Sequence, residues 1–531
     1  MYDVVFSGGT VVDGGGGAPY QADVAVEGNK IAAVGDLKGN ATGRRIDATG
    51  KVVAPGFIDS HCHSEISLLA DPTAESKLRQ GVTTEMLGNC GWSAFPFEES
   101  TGGVLRELSR PIFGHPEIDW SWSDLAGYFG RLEKQGTAVN VATLVGHGNV
   151  RAAVLGLEDR APTAREREAM MAEVQKAMDQ GAFGISSGLG YPPGVYASAD
   201  ELAELAAVSR GAGGLYATHL RDQVDGLVES VQEALEIGRQ SRAQVLISHH
   251  KSVGSRNYGK VQESLRLLDR ARDEGMETFS DIYPYLAGSS SMVMLFSPWV
   301  WAGGPEATLA RLRDPAARER MARDFETGLP GWENRVAAVG WSNVIIAHVG
   351  SEKNRQLKGL TVEAAAAKHG KPALDFVCDL LVEESLDVGD LTVNSCEDDL
   401  RAVLTHPWTV VGSDGLDVGD TPHPRQYGTF PRILARYVRE EPVLTLESAV
   451  HKMTGRTAAL FGLTGLGHLR QGYQADVVVF DPATVSDVAT YDDPRRFPVG
   501  IEQVMVGGVL SVGDGRLTGD FGGRVKRRGT E

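Results

Sequence analysis

The stretch "FIDSHCHSE", residues 57–65, sets His61 and His63 one residue apart with Cys62 between them. Imidazole and thiolate are the donors that a borderline-soft divalent metal takes. If the segment is a β-strand, alternate side chains share a face, so His61 and His63 point one way and Cys62 the other. Two imidazoles can then chelate one ion, and any sulfur ligand has to come from elsewhere in the chain. Cys62 is left to pack against a helical layer. The same donor chemistry recurs at Cys90 in "LGNC", His219 in "YATHLRD", His249 in "SHHK" and Asp414 in "GSDG". A metal held by such a set acidifies bound water and polarises a carbonyl, which is the chemistry of hydrolysis.

Each residue also has a bland explanation. An H-x-H pair recurs by chance, and a lone buried histidine or cysteine is usually inert. The elements that carry these residues decide the matter. Eight apolar segments read as strands: "GFIDSHCH", "GVTTEMLGNC", "NVATLVGHGN", "GAFGISSGLG", "GLYATHLR", "AQVLISHHK", "METFSDIYPY" and "WTVVGSDG". Helical segments separate them. In "REREAMMAEVQKAMDQ", Met170, Met171, Val174, Ala177 and Met178 share one face at helical spacing, as core filler does. Eight such alternations predict a closed parallel (β/α)8 barrel of the TIM type, an α/β fold. In that fold the chemistry sits at the C-terminal strand ends, where His61, His63, Cys90, His147, His219, His249 and Asp414 all fall. Several independent coincidences at one barrel rim would be needed to explain them otherwise.

Alternation refines the set. His250 faces away from His249, whereas Lys251 shares its side and either meets a substrate or lies solvated at the strand end. His147 in "VGHGN" reads as a hydrogen-bonding residue. His115, His348, His369, His423, His451 and His468 lie away from the strand ends and receive no metal. Asp414 has a helix-cap or turn alternative, a role that Asp417 fits better.

Short alternating strands with glycine turns fill residues 1–53, and a similar texture returns in 466–531. Both ends are expected to form one small β-sandwich domain, with the barrel spanning 54–465. From about Leu286 to about His406 the rhythm breaks, and a subdomain inserted over 286–348 is expected to cover the barrel mouth.

The 531 residues are 42% hydrophobic and 23% charged, so a large core is affordable. With 52 basic and 70 acidic residues the formal charge is −18, which argues against a nucleic-acid or anionic-membrane partner. "SMVMLFSPWVWAGG" is too short and interrupted to span a bilayer. The N-terminus shows no secretory pattern, and four cysteines make no disulfide framework. A reduced, cytoplasmic setting is expected; a homo-oligomer is left open.

The strands with "GNCG", "THLRD", "ISHHKSVG" and "GSDG" make the chain resemble the amidohydrolase superfamily. With "GISSGLGYPPGVYA", "DIYPYLAGS", "HPRQYGTFPRILARYVRE", "KMTGRTAALFGL" and "GYQADVVVFDPATVSD", it resembles the N-acyl-D-amino-acid deacylase (D-aminoacylase) family over nearly its whole length. The resemblance implies zinc-dependent hydrolysis of the amide bond of N-acyl-D-amino acids. It implies a metal centre of His61, His63, Cys90, His219, His249 and Asp414. Cys90 takes the bridging place that a strand-four lysine holds in other amidohydrolases. One zinc would sit tightly with Cys90, His219 and His249, and a second, weaker position would involve His61 and His63. Asp414 would be the general base and acid. Lys251, Tyr191, Tyr283, Ser289 and Arg425 would bind the small-molecule N-acyl amino acid. Gly190 replaces an aromatic residue found in some members, which implies a wider side-chain pocket. Rival readings are a cyclic-amide hydrolase of the dihydroorotase or hydantoinase kind, a hydrolase of D-amino-acid dipeptides or other secondary amides, and a scaffold without metal. The last should lack ligands, and this chain keeps every candidate.

Overall fold

A computed structural model describes residues 1–97, 110, 112–114, 116–419 and 421–530. Its centre is the expected barrel. The strands are β1 (Phe57–Asp59), β2 (Val82–Leu87), β3 (Asn140–Thr143 and Val145–Gly146), β4 (Gly184–Gly188), β5 (Leu215–His219), β6 (Val245–Ile247), β7 (Thr278–Ile282) and β8 (Thr409–Val411). All pair in parallel, in sequence order. One apolar cluster takes Ile58, Met86, Ala142, Phe183, Leu215, Leu246, Phe279 and Val410 from around the ring, and so marks the barrel interior. Leu460, Phe461 and Leu463 close its floor. Burying such side chains stabilises the fold by about 1.5–3 kcal/mol each.

The ring closes between β1 and β8 through the residues of interest. The Ser60 N–H donates to the Val411 carbonyl at 3.3 Å, Asp414 N–H to His61 at 2.7 Å and His63 N–H to Gly415 at 3.1 Å. At the opposite end β3 divides: its first half pairs with β2 and its second with β4. The C-terminal tail enters the gap. Val525 bridges Val141 in parallel, with Val141 N–H donating to Arg524 at 3.0 Å and Lys526 N–H to Val141 at 2.7 Å.

One outer helix shows how the sequence caps its start. Helix Ala164–Asp179 opens on a reciprocal Thr163–Glu166 capping box and buries Met170, Val174, Ala177 and Met178 against the barrel.

Strands from both chain ends build one nine-stranded sheet, Val52–Pro55 pairing with Val477–Phe480. Phe6, Val24, Val53, Val477 and Met505 pack together within it. The insertion carries its own antiparallel sheet, in which Val388–Val393 lies between Ala287–Ser291 and Val344–Val349. An end at residue 348 would leave out that central strand. The inserted unit therefore runs on toward β8, because both outer strands pair their backbone groups with Val388–Val393.

Candidate metal centre

The C-terminal ends of β1, β2, β5, β6 and β8 converge. His61, His63, Cys90 and Asp414 each offer a donor atom within 4.8 Å of the others, and Cys90, His219 and His249 form a second set. Cys90 belongs to both. Its Sγ lies 3.2 Å from His61 Nε2 and 3.4 Å from His249 Nε2. Asp414 Oδ1 lies 3.4 Å from His61 Nε2 and 3.3 Å from His63 Nε2. The rings of His219 and His249 meet edge to face at 4.5 Å. Cys62 is in neither set: it is fully buried, with Sγ 3.5 Å from the Met86 carbonyl oxygen.

The backbone is bent to achieve this. Cys90 (φ 54°), His249 (φ 34°) and Asp414 (φ 48°) hold left-handed conformations that side chains with a Cβ rarely adopt. Strain kept at such positions turns donors inward that a regular strand would not deliver.

Charge is arranged around the cluster as a cation would require. Burial pushes the Cys90 thiol up, but the imidazoles of His61 and His249 and a hydrogen bond from His219 hold it well below the usual thiol range. Burial likewise opposes ionisation of Asp414, yet the Arg425 guanidinium and His63 hold its carboxyl well below normal. Burial disfavours a charge on His63, but the Asp414 and Cys90 contacts raise it to about 9. A thiolate and a carboxylate thus stand among imidazoles, and a divalent cation can replace the imidazole protons that balance them. The donor set fits a metal.

Two orienting residues escaped the sequence reading. Asp281 on β7 places Oδ2 3.1 Å from His61 Nδ1 and accepts the His249 N–H at 2.7 Å. Its signal was present, since Phe279 fills the barrel interior and Asp281 follows it by two residues. Gln223 lies in a loop, with Nε2 3.1 Å from His249 Nδ1, and no periodicity marks it.

Lys251, Tyr191, Tyr283, Ser289 and Arg425 all line the cavity that opens on Cys90, His219 and His249. Lys251 Nζ donates to the Tyr283 hydroxyl at 3.0 Å and to the His249 carbonyl at 3.3 Å. Tyr191 donates to the Cys90 carbonyl at 2.7 Å and stacks on Trp92. Arg425 pairs with Asp414 Oδ2 at 2.8 Å. His423 fixes the start of its helix, Nδ1 accepting the Arg425 N–H at 2.9 Å. Trp92, Met294, Arg335 and Leu416 complete the wall without having been foreseen.

Two further histidines are accounted for locally. His250 turns to the helical layer and meets Ser264 Oγ at 2.8 Å, and His147 pairs with Glu201 at 2.9 Å. Asp417 pairs with Arg495 at 2.9 Å. His115 lies outside the described residues. The space beside Gly190 is not open as a wider pocket requires: a Cβ there would lie 3.2 Å from His219 Nε2 and 3.4 Å from Glu333 Oε2. The insertion occupies that space.

The model of the amidohydrolase family matches residues 44–512. The chain belongs to the amidohydrolase family, in its N-acyl-D-amino-acid deacylase branch. This amidohydrolase is 39% identical to the N-acyl-D-aspartate deacylase of Alcaligenes xylosoxydans xylosoxydans over 521 residues, 97% of this chain and 93% of that one. It is 36% identical to the D-aminoacylase of the same organism, covering 99% and 98%. The structure of an N-acyl-D-glutamate deacylase from Bordetella bronchiseptica, with zinc and a phosphonate mimic of the tetrahedral intermediate, superposes with a TM-score of 0.83. It shares 35% identity, covering 99% of this chain and 100% of that one. Strand β4 of this amidohydrolase, "GISSG", carries no lysine. Cys90 is common to both donor sets.

Proposed function

We propose that this amidohydrolase cleaves the amide bond of N-acyl-D-amino acids at a zinc centre, releasing a carboxylate and a free D-amino acid. The observation that carries the reading is Cys90 shared by two donor sets, in the same cavity as Lys251 and Arg425. Thiolate and imidazole donors suit zinc, and the relatives named above act on N-acyl-D-amino acids. When bound, zinc lowers the pKa of a coordinated water to about 7 and polarises the amide carbonyl.

Cys90, His219 and His249 would hold the tighter ion, and His61, His63 and Asp414 a weaker one. The supporting asymmetry lies behind the ligands. His249 Nδ1 is backed by Gln223 and His219 Nε2 by Arg335, whereas in the other set only His61 is backed, by Asp281, and His63 Nδ1 is buried with no partner among the described residues. Asp414, ionised and pointing Oδ1 at the centre, takes the proton of the attacking water and returns it to the departing amine.

Lys251 has no carboxylate partner among the described residues and anchors the substrate α-carboxylate, with Tyr283 and Ser289 beside it. Arg425 joins them, and a carboxylate that reaches it competes with Asp414 for the guanidinium. Arg335 is already held by Glu333 at 2.7 Å. With Trp92, Met294 and Leu416 on the wall, this favours apolar D-side chains over acidic ones.

The test combines zinc analysis with paired substrates. N-acetyl-D-methionine, -leucine and -phenylalanine should turn over faster than N-acetyl-D-aspartate, and their L-enantiomers should not react. Equal rates on both enantiomers would remove the stereochemical assignment, and faster D-aspartate turnover the side-chain one.

A further inference from the structure

The inserted unit reaches the metal centre through two side chains. Arg335 Nη2 lies 3.3 Å from His219 Nε2. Glu333 Oε2 accepts from Arg335 Nε and Nη2, both at 2.7 Å. Glu333 Oε1 accepts the Gln223 N–H at 3.1 Å, and the Gln223 amide meets His249 Nδ1. One buried carboxylate of the insertion thus fastens the groups that contact the outer nitrogens of both His219 and His249. A Cβ at position 190 would crowd this arrangement, at 3.2 Å from His219 Nε2 and 3.4 Å from Glu333 Oε2.

An imidazole bound to an ion through one nitrogen keeps its plane only if the other nitrogen is held. Asp281, from the barrel itself, does this for His61. For His219 the group on Nε2 comes from the insertion. Arg335 has only donors, so as the structure stands Nε2 is the accepting nitrogen and the ring proton sits on Nδ1. A ring that gave Nδ1 to an ion would carry its proton on Nε2 instead, and the carboxylate of Glu333, packed over Gly190 beside that nitrogen, would be the acceptor at hand. For His249 the matching change would be a half-turn of the Gln223 amide, bringing its buried Oε1, unpartnered among the described residues, onto Nδ1.

We propose that Glu333 and Arg335 are positioning residues for the metal centre, so that the Cys90–His219–His249 site is complete only when the inserted unit is seated on it. This rests on the zinc reading above.

The full-length zinc-loaded protein and its Glu333→Gln, Arg335→Ala and Arg335→Lys variants would be titrated with a chromophoric chelator to measure zinc retention. Glu333→Gln and Arg335→Ala should each weaken retention about 10- to 100-fold. The turnover number should fall with little change in KM and recover as zinc is added in excess, and Arg335→Lys should keep part of the affinity. Zinc held as tightly by Glu333→Gln as by the parent overturns the proposal, and that variant decides alone should Arg335→Ala not fold. Cys90→Ala separates the two readings. A parent that retains no zinc, or retains it equally without Cys90, removes the metal reading. Loss in Cys90→Ala with full retention in Glu333→Gln removes the positioning role alone.

Discussion

At the scale of single residues, the two cysteines near β1 and β2 stand in different surroundings. Cys90 Sγ lies among imidazoles, while Cys62 is enclosed near Glu85, Asp59 and Lys77 and its thiol is pushed well up by burial. Cys90→Ala should abolish tight zinc binding. Cys62→Ala should leave zinc content close to one equivalent while lowering stability by about 1 kcal/mol, the cost of a small cavity. Metal analysis beside thermal unfolding checks both. His63 offers a second contrast, because its Nδ1 has no partner among the described residues. His63→Ala should retain the tight zinc that His219→Ala loses, and dialysis against a chelator followed by metal analysis distinguishes them.

At the scale of elements, the site depends on close backbone approach behind the ligands. Gly88 sits at φ +76°, and a Cβ there would lie 2.0 Å from the Leu144 carbonyl oxygen of the neighbouring strand. Gly88→Ala therefore has to push β2 from β3 just before Cys90. It should cost at least the 1–3 kcal/mol typical of such backbone strain, and zinc affinity should fall with it. The tail behaves as an added strand at the divided β3. Deleting residues 524–531 removes two backbone hydrogen bonds to Val141 and the one from Arg528 N–H to Gly181. At about 1 kcal/mol each, the expected loss is about 3 kcal/mol, readable in a denaturant melt with zinc content unchanged.

At the scale of the whole molecule, a chain of formal charge −18 gathers Lys251, Arg335 and Arg425 around one cavity, which draws an anionic substrate inward against the overall field. Global stability should also respond to a carboxyl buried behind the site. Burial pushes Glu85 up to about 7, against the pull of Lys77 and with a push from Asp59. The folded protein therefore holds that proton more tightly than the unfolded chain. The stability it contributes is complete below pH 4.5 and is lost as pH rises to about 7. The shift corresponds to about 3 kcal/mol. Glu85→Gln should gain about that much relative to the parent between pH 4.5 and 8, and urea melts across that range would reveal a flat difference if Glu85 ionises freely.

Apolar periodicity made the eight barrel strands, the helices between them and the two terminal β-regions legible, because a strand buried on both faces has to read as an unbroken apolar run. The donor types and their place at strand ends were legible for the same reason. Continued alternation was not enough: from Ile58 and Leu246 in the interior it would turn Ser60 and Ser248 inward, not His61 and His249. A bend after Asp59 and the left-handed backbone at His249 reset the phase, and only ring closure against β8 and β7 imposes them. Spacing turned Asp281 inward but could not show that it meets His61, nor that Gln223 meets His249, that the inserted sheet extends past residue 348, or that Glu333 packs beside Gly190. Those contacts join segments tens to hundreds of residues apart, and local propensity carries no record of them. The sequence by itself determined which chemistry the chain could perform; packing decided which atoms meet to perform it.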